Sequence, residues 1–180
     1  IQGILEEKLR LLTGEGIRLF GSGRTDSGVH AFGQVAHFKT RSQMDIRTMQ
    51  KALNSLLPPD IAIRKVEEVE QDFHARTHSK SKVYEYRILN RNLRSAFYRG
   101  YAWYSPQKLN LAEMKKATQS LIGEHDFSAF RTGGSSTRTT IRKVTRAEWK
   151  RGRDDLLRFE IEANGFLKQM VRSIIGTLVE

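Results

Sequence analysis

The residues best suited to chemistry lie in a glycine-rich segment, GSGRTDSGVH, which runs from Gly21 to His30. Its glycines allow positive φ angles and a close approach of the backbone to a ligand. A phosphate-binding loop is excluded, because GxxxxGK[ST] needs a lysine where Val29 stands and GxGxxG needs a glycine where Asp26 stands. The carboxylate of Asp26, with Arg24 nearby, is the group that could act as a nucleophile or base. The same residue type also fits a turn aspartate that binds its own backbone.

A pair of tyrosines forms a second candidate site. Tyr84 and Tyr86 lie on the same side of a predicted strand with the sequence KVYEYR. Aromatic rings among Lys and Arg are typical of surfaces on which bases stack while phosphates are neutralised. Either tyrosine could instead be a core residue with a solvated hydroxyl. The later stretch Arg99 to Trp103 opens like an RNP1 motif, but Pro106 stands where the closing aromatic belongs, which argues against an RNA-recognition fold.

No metal site is predicted. His74 and His78 have i, i+4 spacing, but no acid occupies the HExxH position, and His125 beside Asp126 fits a local hydrogen bond. The chain has no cysteine, which excludes disulfides, thiolate zinc sites and a cysteine nucleophile, and which is compatible with a reducing cytoplasm.

A single arginine in the last predicted helix requires a partner. Arg172 lies among apolar residues, and a guanidinium is costly to bury unless a carboxylate meets it. We therefore expect an acid against Arg172, just as Asp26 needs a cation.

The charge balance favours a nucleic-acid partner. The 180 residues carry 31 Lys and Arg against 20 Asp and Glu, a net charge of +11. Residues 76–99 hold a net +6 and residues 131–153 a net +7, which leaves a slightly acidic remainder. Two basic segments on such a body indicate a polyanion, although a solvated surface would also be basic. No run approaches the roughly 18 uncharged apolar residues that a membrane span needs.

Helices and strands alternate around these candidate residues. Apolar residues at helical spacing predict a first helix from Ile1 to Leu12 that ends at Gly14, two more after the caps Asp45 and Asn110, and a last from 166 to 180. The predicted strands cover residues 17–20, 35–40, 61–69, 83–89, 98–104, 140–150 and 156–163. The pattern predicts an α+β fold with a mixed, mostly antiparallel sheet and helices packed on it.

These motifs, in this order, resemble the tRNA pseudouridine synthase A family. The family's signature GRTDxGVHA is present in full from Gly23 to Ala31. Further matches follow along essentially the whole chain: Gly33-Gln-Val35, Leu57-Pro-Pro-Asp60, Asp72-Phe-His-Ala-Arg76, Tyr84-x-Tyr86, His125-Asp-Phe127 and Phe166-Leu-x-x-Met-Val-Arg172. The resemblance implies the pseudouridine synthase fold, with two ferredoxin-like halves that flank a basic cleft. We divide the halves at 1–70, with the catalytic loop, and 71–180, with the tyrosine strand and closing helix, in one intertwined catalytic unit.

The resemblance also implies a role for each candidate residue. Asp26 matches the catalytic aspartate, and Arg172 matches the basic residue that pairs with it. Tyr84 matches the tyrosine that packs on the target base and has been proposed to transfer a proton, and Arg24 matches the arginine that holds the flipped nucleotide out of the RNA. The family isomerises uridine to pseudouridine at positions 38, 39 and 40 of the tRNA anticodon stem-loop. It works in the cytoplasm as a homodimer, without metal or organic cofactor.

Other readings of the chain stay open at this point. The aspartate could add to the uracil ring or act at the ribose. An inactive RNA-binding homologue of the same fold is the alternative function, and a nucleotide-binding enzyme that uses the glycine loop is a third. The family normally has another strand, with a YDGxxFxGWQ-like motif, before Gln2 and further chain after Glu180. We therefore expect the sequence to be a piece of a longer chain that lacks a sheet edge and some pocket-lining residues.

Overall fold

A computed structural model describes residues 1–134 and 139–180. The chain divides into two compact units, Ile1–Ser79 and Lys80–Glu180. The first unit extends to Ser79 because the segment before it packs there: the rings of Phe73 and His74 lie 6.1 and 4.7 Å from that of His37. The predicted halves, 1–70 and 71–180, and the single catalytic unit they form stay predictions. None of the helices in the described parts of the chain has the length and hydropathy needed to cross a bilayer.

Two helices form the first unit's frame. Helix α1 spans Gln2–Thr13 and ends at Gly14, whose φ of 73° places it in the left-handed region. Helix α2 spans Ile46–Leu56 and begins after Asp45, whose carboxylate accepts a hydrogen bond from the Thr48 amide at 3.0 Å. Both ends confirm the predicted caps. The two helices bury a small apolar core made of Leu9, Ile17, Leu19, Met49 and Leu53.

The first unit contains less strand than the sequence predicts. Only β1, Phe20–Gly21, and β2, Ala36–His37, pair as an antiparallel sheet. The predictions of a strand over all of 17–20 and over 35–40 were therefore too long. Leu19 is buried, but its backbone binds α1 side chains: its N–H donates to Glu6 Oε1 at 2.9 Å and its carbonyl accepts from Gln2 Nε2 at 3.0 Å.

The predicted strand over residues 61–69 was wrong for a related reason. Its backbone binds side chains of α2 and pairs with no strand among the described residues. The Ile63 amide donates to Asn54 Oδ1 at 2.7 Å, and Gln50 Nε2 donates to the carbonyl of Arg64 at 2.7 Å. Ile63 and Val66 still pack on the apolar core. The alternation of apolar residues therefore correctly indicates which residues are buried, although the segment is not a strand.

The second unit is built on a five-stranded sheet with the order β4-β3-β7-β6-β5. Every pairing is antiparallel except that of β3 with β4. The strands are β3 Lys82–Asn90, β4 Trp103–Ser105, β5 Gly123–Asp126, β6 Ile141–Arg151 and β7 Leu156–Ala163. The predicted hairpin is confirmed as β6 and β7, and so is the α+β class with a mixed, mostly antiparallel sheet.

Helices α3, Leu111–Thr118, and α4, Met170–Val179, cover the apolar face of this sheet. Alternate residues of β7 are buried, among them Phe159 and Ile161, which are fully buried against Ile174 of α4. Trp149 is buried, and its indole N–H donates to Thr118 Oγ1 of α3 at 3.0 Å, so these two buried polar groups satisfy each other.

Two predicted bounds in the second unit change. The strand predicted over 98–104 is limited to β4, because the Tyr101 and Ala102 amides both donate to the Tyr98 carbonyl in a turn and Gly100 has a φ of 81°. The last helix begins at Met170 instead of residue 166, because Gln169 has a left-handed φ of 63°.

Candidate active site

The glycine-rich segment forms a loop between β1 and β2 that is tied together at its base. The Ser22 amide donates to the Val35 carbonyl at 2.8 Å. The Ser22 hydroxyl donates to Gln34 Oε1 at 2.6 Å, and Gln34 Nε2 donates to the Gly23 carbonyl at 2.9 Å. These bonds connect the two ends of the loop, so the residues between them form its tip.

Both candidate residues of the loop lie at the tip. Arg24 and Asp26 are exposed, and the Asp26 carbonyl accepts from the Val29 amide at 3.1 Å. Gly28 completes the turn with a φ of 79°, which a residue with a Cβ rarely adopts. Within residues 1–134 and 139–180, the Asp26 carboxylate has no hydrogen bond or ion pair. The side chain therefore does not bind its own backbone, and it remains available to a ligand.

Tyr84 lies near the start of β3, directly opposite Ile161 of β7. Its ring is half-buried and meets the ring of Phe166 edge-on, with 4.8 Å between centroids. Both rings pack against the main core of the second unit. Tyr84 is thus a residue at the margin of the core whose ring orientation is fixed by Phe166.

Tyr86 lies on the same face of β3, opposite Phe159. Burial raises the pKa of Tyr86 above its ordinary value, and the positive charge of Arg172 partly opposes that rise. The guanidinium of Arg172 is therefore close enough to the Tyr86 hydroxyl for the two to interact electrostatically. This places Arg172 and the tyrosine strand in one neighbourhood.

The prediction that Arg172 is buried and therefore needs a carboxylate was wrong. Arg172 is exposed, because Met170, Ile174 and Ile175 occupy the buried side of α4 and residue 172 falls on the other side. Its guanidinium is solvated in the described chain and does not need a carboxylate to offset a desolvation cost. The pairing of Arg172 with Asp26 stays a prediction that rests on the resemblance.

The four predicted residues divide between the two units. Arg24 and Asp26 share one loop of the first unit, while Tyr84 and Arg172 belong to the second unit. Sequence reasoning gave no role to Phe166, which packs on Tyr84, or to Gln34, which closes the loop. Both lie in stretches that match the family's motifs, and this match was the feature of the sequence that could have identified them as functional.

Part of the predicted basic charge is neutralised locally. Arg87 pairs with Glu85 at 2.6 Å on β3. Arg146 and Lys150 on β6 form ion pairs of 2.9–3.6 Å with acids on β6 and β7, namely Glu148, Glu160 and Glu162. Arg138, which also belongs to the segment 131–153, lies outside the described residues. The net charge of a segment thus overstates the charge it offers to a partner.

His37, His74 and His78 of the first unit form an aromatic cluster with Phe20 and Phe73. His37 stacks on Phe20 with 5.3 Å between centroids, and its Nδ1 accepts a hydrogen bond from the Ala75 amide at 3.2 Å. Burial, reinforced by the neighbouring His74, lowers the pKa of His37. Among the residues that the structure describes, no three His, Cys, Asp or Glu side chains are grouped so that they could hold a metal ion.

Comparison with known proteins identifies close relatives. Residues 1–77 and 117–180 match a family model described as tRNA pseudouridine synthase. A tRNA pseudouridine synthase A of Thermoanaerobacter sp. (strain X514) is 47% identical over 178 residues, which is 99% of this chain and 72% of the relative. The tRNA pseudouridine synthase A of Acetivibrio thermocellus is 44% identical over 180 residues, 100% of this chain and 73% of the relative. That of Clostridium botulinum (strain Eklund 17B / Type B) is 45% identical over 179 residues, 99% of this chain and 73% of the relative.

Proposed function

This chain belongs to the tRNA pseudouridine synthase family, and on that basis we propose that it isomerises uridine to pseudouridine in the anticodon stem-loop of tRNA, at positions 38, 39 and 40. The proposal rests on the family match over residues 1–77 and 117–180. The first of these ranges contains the complete GRTDxGVHA signature around Asp26.

The reaction exchanges one bond of the nucleotide for another. The C1′–N1 glycosidic bond breaks, the uracil turns, and a C1′–C5 bond forms. The proton at C5 is lost and N1 gains one, so the composition and oxidation state of the nucleotide do not change. The chemistry therefore requires a group that can act as nucleophile or base, and it requires no redox cofactor.

Asp26 is the residue we assign to that role. Its carboxylate is exposed at the tip of a loop and has no partner among the described residues, so a substrate would not need to displace an existing contact. The hydrogen bonds at the base of the loop restrict the motion of the tip, which lowers the entropic cost of orienting the carboxylate. Arg172 is assigned as the basic partner of Asp26.

Tyr84 and Arg24 are assigned to the flipped nucleotide. A base in a stacked stem is inaccessible, and flipping it costs a few kcal/mol. Stacking of the uracil on Tyr84 would return about 1–3 kcal/mol of that cost. Phe166 supports the assignment, because its edge-on contact fixes the plane of the Tyr84 ring before the base arrives. Arg24, exposed beside Asp26, would hold the extruded nucleotide through its phosphate.

The homodimer, the cytoplasmic location and the basic cleft that the resemblance implies belong to the same proposal. Two chains would each supply a cleft to tRNA, and neutralisation of the phosphates would make binding strongly dependent on salt.

The experiment incubates the chain with an unmodified tRNA transcript and maps pseudouridines by chemical probing. We expect modification at positions 38, 39 or 40 by the wild type. Asp26→Asn should lower the rate on the order of 10⁴-fold or more, because the amide cannot act as nucleophile or base. Its tRNA affinity should change little, because the substitution keeps the side chain's shape.

Glu68→Gln is the matched control, since Glu68 is an exposed acid of the same unit outside the loop. It should leave the rate within about twofold, as expected for a distant surface position. Normal turnover by Asp26→Asn would refute the catalytic assignment. A wild-type chain that binds tRNA but forms no pseudouridine would support the inactive RNA-binding homologue.

A further inference from the structure

One segment of the second unit exposes aromatic side chains that the proposed reaction does not use. Residues 91–103, here called the arginine–aromatic segment, run from the end of β3 to the first residue of β4. Phe97 is 93% exposed, and three neighbours are exposed by 42–76%: Leu93, Tyr101 and Trp103. Large apolar side chains exposed together in one short segment mark an interaction surface.

The backbone of the segment is held in defined turns. The Tyr98 carbonyl accepts hydrogen bonds from the Tyr101 and Ala102 amides, both at 3.0 Å, and Gly100 has a φ of 81°. The Tyr104 hydroxyl donates to the Asn92 carbonyl at 2.9 Å, which ties the start of the segment to β4. Phe97 is therefore presented on an ordered backbone, which reduces the entropy that a binding partner must remove.

The segment carries positive charge that no acid offsets. No Asp or Glu occurs between Glu85 and Glu113, whereas Arg91, Arg94 and Arg99 lie within the segment. In the described parts of the chain none of these three arginines forms an ion pair. The outer face of β6 and β7 differs, because Arg146 and Lys150 there are bound to acids. The unpaired charge favours an anionic partner.

Charge and aromatic rings together select the partner. A second copy of this chain would bring the same three arginines against these, and like charges would repel. A nucleic acid supplies phosphates to the arginines and flat bases to the rings. We infer that the arginine–aromatic segment binds an unpaired base of tRNA on Phe97 and the adjoining phosphates on its arginines. This inference rests on the proposed function, because it takes tRNA as the substrate.

The contact is separate from the one proposed for the reacting base. Tyr84 lies at the start of β3, and the arginine–aromatic segment follows the last residue of that strand, Asn90. Six residues of extended chain span about 20 Å, at roughly 3.3 Å per residue. The segment therefore begins about 20 Å from Tyr84. We assign to Phe97 a base other than the uridine that stacks on Tyr84, and on that assignment Phe97 contributes to affinity and to the choice of tRNA.

The test measures the binding of an unmodified tRNA transcript to Phe97 variants of the full chain, together with turnover at saturating tRNA. Phe97→Ala should raise the Kd roughly 5- to 150-fold, which corresponds to the loss of one stacked base. Turnover at saturation should stay unchanged. Phe97→Trp should bind like the wild type, while Phe97→Leu should bind as weakly as Phe97→Ala. Ile122→Ala, which truncates an exposed apolar side chain outside the segment, is the matched control and should leave the Kd unchanged.

A charge variant tests the second half of the inference. Arg99→Gln should reduce the slope of log K against log salt by roughly 0.7–0.9, the value for one phosphate contact. Lys116→Gln removes an exposed charge on α3 and should leave the slope unchanged.

Three results would overturn the inference: an unchanged Kd in Phe97→Ala, full binding by Phe97→Leu, or a Phe97→Ala chain that loses self-association while its tRNA affinity is kept. Failure of the proposed function is read separately, from pseudouridine formation by the wild type and by Asp26→Asn. The Phe97 experiment reports binding, so the two failures are distinguishable.

Discussion

The loop that carries Asp26 and the strand that carries Tyr84 hold their side chains in different ways. The loop joins two strands of only two residues each, and its tip is exposed. The strand has nine residues and lies between β4 and β7, with Tyr84 opposite Ile161 and in contact with Phe166. Backbone conformation fixes the first side chain, and packing fixes the second.

This difference predicts how each region responds to substitution. A change in the core beneath Tyr84 should cost mainly stability, because many packing contacts together hold the tyrosine in position. A change in the turn beside Asp26 should cost mainly activity, because few contacts hold the carboxylate and a displacement of about 1 Å can lower a rate 10²-fold.

The largest effect on stability is expected in the sheet. Phe159 is fully buried beside Tyr86 in the core of the second unit. Phe159→Ala should lower the free energy of unfolding by about 3–5 kcal/mol, through lost transfer energy and a cavity. Denaturant unfolding of the full chain measures it. Val83→Ala on the exposed side of β3 is the control and should cost less than about 0.5 kcal/mol. A cost for Phe159→Ala below that of the control would show that this core does not hold the tyrosine strand.

A smaller loss of stability, with a larger loss of activity, is expected in the loop. Gly28 has a φ of 79° and open space where a Cβ would lie, so Gly28→Ala introduces backbone strain of roughly 1–2 kcal/mol and no clash. We expect pseudouridine formation to fall at least about tenfold, with at most that strain lost from the free energy of unfolding. Kinetics and denaturant unfolding of the same samples measure the two effects.

Gly16→Ala provides the comparison, because Gly16 also has open space around it but no positive φ. It should change neither quantity. Wild-type kinetics in Gly28→Ala would mean that the conformation of this turn does not position Asp26.

The smallest effect is a dependence of the first unit on pH. Burial and the nearby His74 lower the pKa of His37, so the unfolded chain binds the proton more tightly than the folded one. The stability is therefore fully present above the unfolded value of about 6.5 and is lost as the pH falls below it, with a slope of at most about 1.4 kcal/mol per pH unit. Denaturant unfolding at several pH values between 7.5 and 5 measures the slope.

His37→Gln should flatten this profile, whereas His125→Gln, which changes an exposed histidine of the second unit, should not. A wild-type stability that rises as the pH falls from 7 to 5.5 would contradict the direction assigned to His37.

Predictions from sequence patterns are confirmed where the structure depends only on residues close together in the chain. The helix caps at Asp45 and Asn110 are confirmed, since each side chain accepts a hydrogen bond from the amide three residues later. The β6–β7 hairpin is confirmed as well. The strand predicted over 17–20 was too long and that over 61–69 was wrong, because apolar alternation reports which side of the chain is buried. It does not report whether the backbone partner is a strand or a helix side chain such as Glu6 or Asn54.

The sequence by itself determined the family, the signature around Asp26 and the α+β class, because motif spacing and hydrophobic periodicity depend only on residues near one another in the chain. Only the tertiary structure decided that Arg172 is solvated, that Phe166 packs on Tyr84, and that Arg146 and Lys150 of β6 are paired with acids while the arginines of the arginine–aromatic segment are not. Burial and ion pairing depend on residues distant in the chain, such as Glu160 beside Arg146. No local pattern encodes which of them meet.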